Sequence, residues 1–265
     1  SEVPKRSAVR NAPTLASARG TPKKSKLFFR TTIRIMPLLF LLIKLMFPKE
    51  GLEFLTQLKA NNNKTWFAQH KKEYETFVKE PFKQIVTTIV QHLIPQTHLS
   101  EHIKISEYIF RIYRDVRFTK NKLPFKTFLG AYLDHEGTQS DKPGYYIHIE
   151  PKNSFIACGL YEPNAEQLKK IRQEIVYETD TWQAILAHPS LLKYWGGLYE
   201  GRRYKKIPKD VIQYPELCNY TTLKQFLLWK YIPDEIVTSQ EYVSYCVNHF
   251  LSAVSFVNFL RQAIS

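Results

Sequence analysis

The chain has 265 residues, 44% hydrophobic and 14% aromatic, enough apolar material for one large core or two small ones. Its net charge of +14 by itself suggests a polyanionic partner, yet residues 1–45 hold ten Lys/Arg against Glu2, and the remainder is only mildly basic, with 28 basic and 23 acidic side chains. Three scattered cysteines (Cys158, Cys218, Cys246), with no CxxC and no Cys/His zinc spacing, argue against a disulfide framework or a structural metal and for a reducing, cytoplasmic setting.

Residues 1–26 are rich in Ser, Ala, Pro, Thr, Lys and Arg, lack apolar periodicity and read as disordered. Ile35–Phe47 is an apolar run of about 13 residues, broken by Pro37 and Lys44. That is short of the ~20 residues a membrane-spanning helix needs. Three readings stand open for it: a membrane or export signal, a short helix packed on the domain, or an accessory extension ahead of Met46. The last is favoured, which leaves 1–45 as an extension and 46–265 as a single α+β domain, with membrane association not expected.

Lys49–Lys59 fits a helix with Leu52, Leu55 and Leu58 on one side. Asn61–Asn63 ends it and offers capping oxygens to a second helix running from Thr65 past Val78, which Pro81 punctuates. A third helix follows with Phe82, Ile85, Val86, Ile89, Val90 and Leu93. The pattern then alternates. Ile105–Phe118, Phe128–Leu133, Tyr145–Glu150 and Ser154–Leu160 read as strands, the last two joined by Pro151-Lys152-Asn153. Links this short permit only antiparallel neighbours. Helices return at Asn164–Tyr177 and Thr181–Ala187, a loose region starts at Gly196-Gly197, and Leu223–Leu228 and Ser239–Ala263 read as mostly helical. The expected fold is α+β: an antiparallel meander of about four strands flanked by N-terminal and C-terminal helices.

The densest chemistry lies between Arg111 and Lys126, with six basic residues and one acid, Asp115. On a strand, Arg111, Tyr113, Asp115 and Arg117 share one face, and Phe110, Ile112, Arg114, Val116 and Phe118 the other. Lys120 and Lys122 follow in a loop and Lys126 leads into the next strand. Arg forks beside Lys point charges suit a phosphate or carboxylate, so an anionic small molecule or nucleic acid is the expected partner. The plainer reading is a solvated sheet face held by Arg–Asp pairs. Tyr146, His148 and Glu150 alternate and point one way. With Arg111 they make an alternative, an enzyme pocket with His148 and Glu150 as acid–base groups, although a His beside a Glu is more often a structural pair. A third alternative is a scaffold that docks an acidic protein. No P-loop, GxGxxG, GxSxG or HExxH occurs, so no cofactor and no metal are expected, and nothing fixes an oligomeric state.

An ordered series of motifs accompanies these features: Phe54-Leu55, Asn62-Asn63 and Trp66-Phe67, then Ile109–Phe118, Lys120, Lys122 and Pro124–Lys126, then Gly130-Ala131-Tyr132, Pro143–Pro151, Ser154-Phe155, Gly159-Leu160 and Pro233-Asp234-Glu235. Over residues 47–265 the chain resembles the family known as domain of unknown function 2461, found in bacteria and fungi. The resemblance implies a cytosolic protein and carries no catalytic residue with it. Phe125 stands where that pattern has Tyr, and the loop after Tyr132 is polar rather than basic.

Overall fold

Leu52, Phe54, Leu55 and Leu58 recur at helical spacing, and in the computed structural model, which describes residues 45–265 apart from 101 and 118, they are the buried stripe of helix α1 (Lys49–Ala60). The accessory extension expected over 1–45 lies, but for Leu45, outside the described residues. Asn63 Oδ1 accepts the Trp66 N–H at 2.9 Å and starts α2 (Lys64–Gln69). The chain then passes through a π-helical turn at Tyr74–Lys79 into α3 (Glu80–Leu93). Pro81 does not break this path as expected. It occupies the first turn of α3, where a missing N–H costs nothing.

The strand expected at Ile105–Phe118 is a correction. Ile105–Tyr108 is a helical turn, α4, and an extended segment follows with only isolated bridges, Ile109 to Ala131 and Tyr113 to Phe125. Phe118 lies outside the described residues. The ladder stops because Pro124 has no N–H to offer, and no further strand adds beyond it because the outer edge of Phe125 is held by Asn62. Asn62 Nδ2 donates to Phe125 O at 3.0 Å, and Asn62 Oδ1 accepts from Phe125 N at 3.1 Å. The expected alternation survives without the strand: Arg111, Tyr113, Asp115 and Arg117 are exposed, while Ile112 is buried.

The sheet has four strands in the order β1 (Leu129–Leu133), β2 (Gly144–Ile149), β3 (Ser154–Leu160) and β4 (Phe226–Ile232), every pairing antiparallel. The fourth strand is thus not the Arg111 segment but β4, which falls in a stretch expected to be helical. Its sequence FLLWKYI is apolar for four residues on end, a run that fits a buried strand or a helix equally.

Alternation along these strands gives the sheet two faces. Leu129, Ala131 and Leu133, with Tyr145, Ile147 and Ile149, and Ile156 and Cys158, belong to the single buried core shared with α1 and α3. Helices α5 (Ala165–Tyr177), α6 (Thr179–Ala187) and α7 (Pro189–Trp195) follow β3; Asn164 and Gln167 form a capping box on α5. Helices α8 (Tyr242–Ser252) and α9 (Val254–Ile264) close the same core with Phe250, Phe256 and Leu260. Among the described residues no single helix is long and apolar enough to cross a membrane; α8 and α9 pass such a test only as a pair bent by 50°. Asp134, just past β1, is fully buried and accepts from His98 Nε2 at 2.9 Å, Ser140 Oγ and Arg261 Nη1, which ties the end of β1 to α9. Those bonds hold its carboxyl well below the usual range against the opposing effect of burial.

Candidate functional site

The opposite face of the sheet carries the alternate residues. Register places His148 opposite Gly130 and Phe155, and Ala157 opposite Tyr146 and Trp229. Adjacent strands run ~4.8 Å apart. Rings stacked face to face at about that spacing must stand upright on the sheet. This is what the side chains do: Phe128 to His148 is 4.4 Å between ring centres, His148 to Phe155 4.5 Å, Phe155 to Trp229 3.8 Å and Trp229 to Tyr199 5.5 Å, all within 27° of parallel. The row crosses the whole sheet and turns ring edges outward, the electropositive side of an aromatic quadrupole.

Above this floor lies a cavity of about 600 Å³. Phe110, Tyr132, Tyr146 and Tyr161 contribute to its walls, and Gly144 and Ala157 leave room beside them by having little or no side chain. Gly130 matters for the same reason: a Cβ there would stand 2.9 Å from Tyr146 Oη and 3.2 Å from the Phe110 ring.

Among the described residues one cation lines the cavity. Lys126 is half-buried, its Nζ 4.9 Å from the centre of the Phe110 ring and 5.9 Å from that of Phe128. Among the described residues no carboxylate pairs with it. Burial first, and the field of Arg111 second, depress its pKa. Its backbone is fixed from both sides: Lys126 N donates to Ile112 O at 2.8 Å, and the Asn62 clamp holds the preceding residue.

Tyr146, His148 and Glu150 converge as their alternation requires. Burial raises the Tyr146 phenol, so it keeps its proton, and with the Nε2–H tautomer that the Glu150 carboxylate favours it donates to His148 Nδ1 at 3.0 Å. The imidazole N–H is then on Nε2, which is buried, finds no hydrogen-bond partner of good geometry and stands 3.5 Å from Glu150 Oε2. Burial lowers the His148 pKa, and Glu150 opposes this only in part. His148 is therefore neutral near pH 7. Glu150 itself takes a bond from Asn153 Nδ2 at 2.8 Å and faces Lys59 Nζ at 3.7 Å.

The rest of the basic segment lies elsewhere. Asp115 receives Arg117 through Nη2 at 2.7 Å and Nε at 3.1 Å, an exposed bidentate pair that holds the Asp115 carboxyl well below its usual range. Lys122 Nζ donates to Val116 O at 2.9 Å, closing its own loop. Tyr113 packs its ring 5.2 Å from Phe125. Arg111 and Lys120 are exposed and Arg114 is half-buried, and none of the three lines the cavity. Of the residues expected to bind a ligand, Lys126 and Tyr146 meet there with His148; Glu150 supports His148 from the strand end. Phe128, Phe155, Trp229 and Tyr199 were not singled out by sequence. Phe128 and Phe155 lie in segments whose alternation is legible, but the row exists only once the register of five segments is known. Among the described residues no cluster of His, Cys, Asp or Glu is suited to a metal.

Comparison with known proteins agrees with the motif series. A family described as "Conserved hypothetical protein (DUF2461)" matches residues 50–259. No curated protein and no solved structure matches the chain.

Proposed function

The chain belongs to the DUF2461 family of conserved hypothetical proteins, and we propose that it binds a phosphorylated or carboxylated organic ligand in the cavity on the open sheet face, with Lys126 meeting the anionic group and the aromatic floor meeting a flat, unsaturated part. The observation that carries this reading is the unpaired, half-buried Lys126 ammonium on the wall of an aromatic cavity. An ammonium in that position is unfavourable until an anion joins it, and the aromatic edges beside it favour the π face of a ring. The cavity volume, about 600 Å³, is in the range of small-molecule sites. The free cysteines Cys158, Cys218 and Cys246 accord with a cytoplasmic location.

Phenyl phosphate, which joins a ring to a phosphate, is the probe. Calorimetric titration should detect saturable binding by wild type and none by Lys126→Met. Equal binding by the two proteins would remove Lys126 from the site and the proposal with it.

A second reading rests on the Tyr146–His148–Glu150 chain. A neutral imidazole between a phenol and a carboxylate, on the floor of the cavity, is able to move a proton to or from a bound anion. On this reading His148→Phe would abolish turnover of an anionic substrate while leaving phenyl phosphate affinity within about threefold, a change under 1 kcal/mol. A loss of affinity instead would make His148 part of the binding floor only.

A further inference from the structure

The loose region after Gly196-Gly197 contains a second basic segment. Residues 199–209 carry Arg202, Arg203, Lys205, Lys206 and Lys209 against one acid, Glu200. Residues 199–204 lie alongside β4 and the residues before it. Tyr199 N donates to Leu227 O, Lys224 N to Arg202 O and Tyr204 N to Thr222 O, each at 2.8 Å, and Arg203 bridges Leu223. The sheet is thereby widened by one irregular strand on the side away from Lys126.

This segment reaches the cavity. The Arg202 guanidinium lies 6.0 Å from the Tyr161 ring and 3.5 Å from Glu162, and both residues line the cavity wall. The Arg202–Glu162 pair is exposed on both sides, a kind of contact that a stronger anion displaces readily. The open face therefore has cations at both edges, Lys126 on one side and Arg202 with its neighbours on the other. Four strand steps of about 4.8 Å, roughly 19 Å, separate the first ring of the floor from the last. Exposed rings stand between and beside these edges: Tyr161 is 56% exposed, Tyr199 40% and Tyr231 63%. A small anion satisfies Lys126 alone and leaves the far edge and these rings unused.

We infer, building on the cavity reading above, that the physiological ligand is a single-stranded nucleic acid laid across the open face, with phosphates near Lys126 and near Arg202–Lys206 and bases against the exposed tyrosines. Positive edges flanking aromatic platforms are what a single strand requires, because each nucleotide offers one phosphate and one π face. A duplex hides its bases from such rings.

The test uses the full chain throughout, so that the ten basic residues in 1–45 contribute equally to every variant. Fluorescence anisotropy follows a labelled oligouridylate of about twelve residues between about 50 and 200 mM NaCl, with uridine monophosphate and phenyl phosphate as small probes. The expected result is oligouridylate affinity more than about tenfold above that of uridine monophosphate. Lys205→Gln/Lys206→Gln should flatten the log–log salt slope by about 1.4, at roughly 0.7 per single-strand phosphate contact. Tyr161→Ala/Tyr231→Ala should weaken the oligomer by about tenfold, a typical loss for one stacked base. Lys205→Gln/Lys206→Gln, whose residues lie outside the cavity wall, should leave phenyl phosphate binding unchanged. An oligomer no tighter than the monophosphate, or one indifferent to Lys205→Gln/Lys206→Gln while phenyl phosphate still binds through Lys126, overturns the single-strand inference alone. Failure of every probe overturns this inference and the cavity reading together.

Discussion

Asn62→Ala is the sharpest test of how the site is held together. Two hydrogen bonds join the Asn62 side chain to the backbone of Phe125, at 3.0 and 3.1 Å. Phe125 is buried and its neighbours bond the other way, Pro124 O and Lys126 N pairing with Arg114 and Ile112. Asn62 thus stands in for the strand that this edge lacks. Each neutral hydrogen bond contributes about 1 kcal/mol net, and a partly desolvated group left without a partner costs about 1–3 kcal/mol. The half-buried site lets water recover some of that, so the loss should be about 2–3 kcal/mol. For a protein of this size it corresponds to a melting-temperature drop of roughly 4–12 °C. Urea unfolding followed by circular dichroism measures it, with a shifted midpoint and an unchanged slope. Phenyl phosphate affinity should fall about tenfold in parallel, because the next residue is Lys126. Asn61→Ala is the control, since its side chain makes only an exposed bond to Gln57 O and should change stability by under about 0.5 kcal/mol. Equal behaviour of Asn61→Ala and Asn62→Ala would refute the clamp.

Lys126→Met should remove anion binding yet leave the unliganded protein as stable as wild type or more so. The folded state disfavours this ammonium, so wild type bears a penalty below the folded pKa that fades as pH rises through it toward the unfolded value of about 10.4. The stability gap between variant and wild type should accordingly be widest near neutral pH and close in alkali; a gap that widens in alkali would contradict the assigned environment. His148 and His249 both have pKa values lowered by burial, so the unfolded chain takes up protons first and stability falls as pH drops below about 6.5. His148→Phe keeps a ring between Phe128 and Phe155 and should flatten that acid-side slope in part; an unchanged slope would mean that His148 titrates normally. Gly130→Ala places a methyl against Tyr146 Oη and Phe110, and should cost about 1–3 kcal/mol and abolish phenyl phosphate binding. A stable, fully binding Gly130→Ala protein would show that the cavity wall yields.

Elements with local signatures were legible in the sequence. Three strands of the meander, the capping of α2 by Asn63 and the shared direction of Tyr146, His148 and Glu150 all follow from spacing of two or three to four residues. What could not be read depends on partners distant in sequence. Ile105–Phe118 alternates like a strand, but the segment it meets contains Pro124, which has no N–H to continue the ladder, and its bonds there stop at Arg114 to Pro124 and Lys126 to Ile112. The segment Phe226–Ile232 has no alternation strong enough to oppose a helical reading, and it becomes a strand because β3 presents an open edge to it. The charge cluster between Arg111 and Lys126 was visible as composition, whereas its division was not: Arg117 turns to Asp115, Lys122 to its own loop, and Lys126 alone lines the cavity. The ring row needs the register of five chain segments at once, information that no short stretch contains.

The most direct measurement is a crystal structure of the protein with phenyl phosphonate, a non-hydrolysable relative of the binding probe. The account predicts its anionic oxygens within ~3 Å of Lys126 Nζ, the distance of a charge-assisted hydrogen bond, with its ring over the edges of His148 and Phe155. Density for the phosphonate at Arg111–Lys122 with the cavity empty, or a carboxylate of the protein itself closing on Lys126, would contradict it.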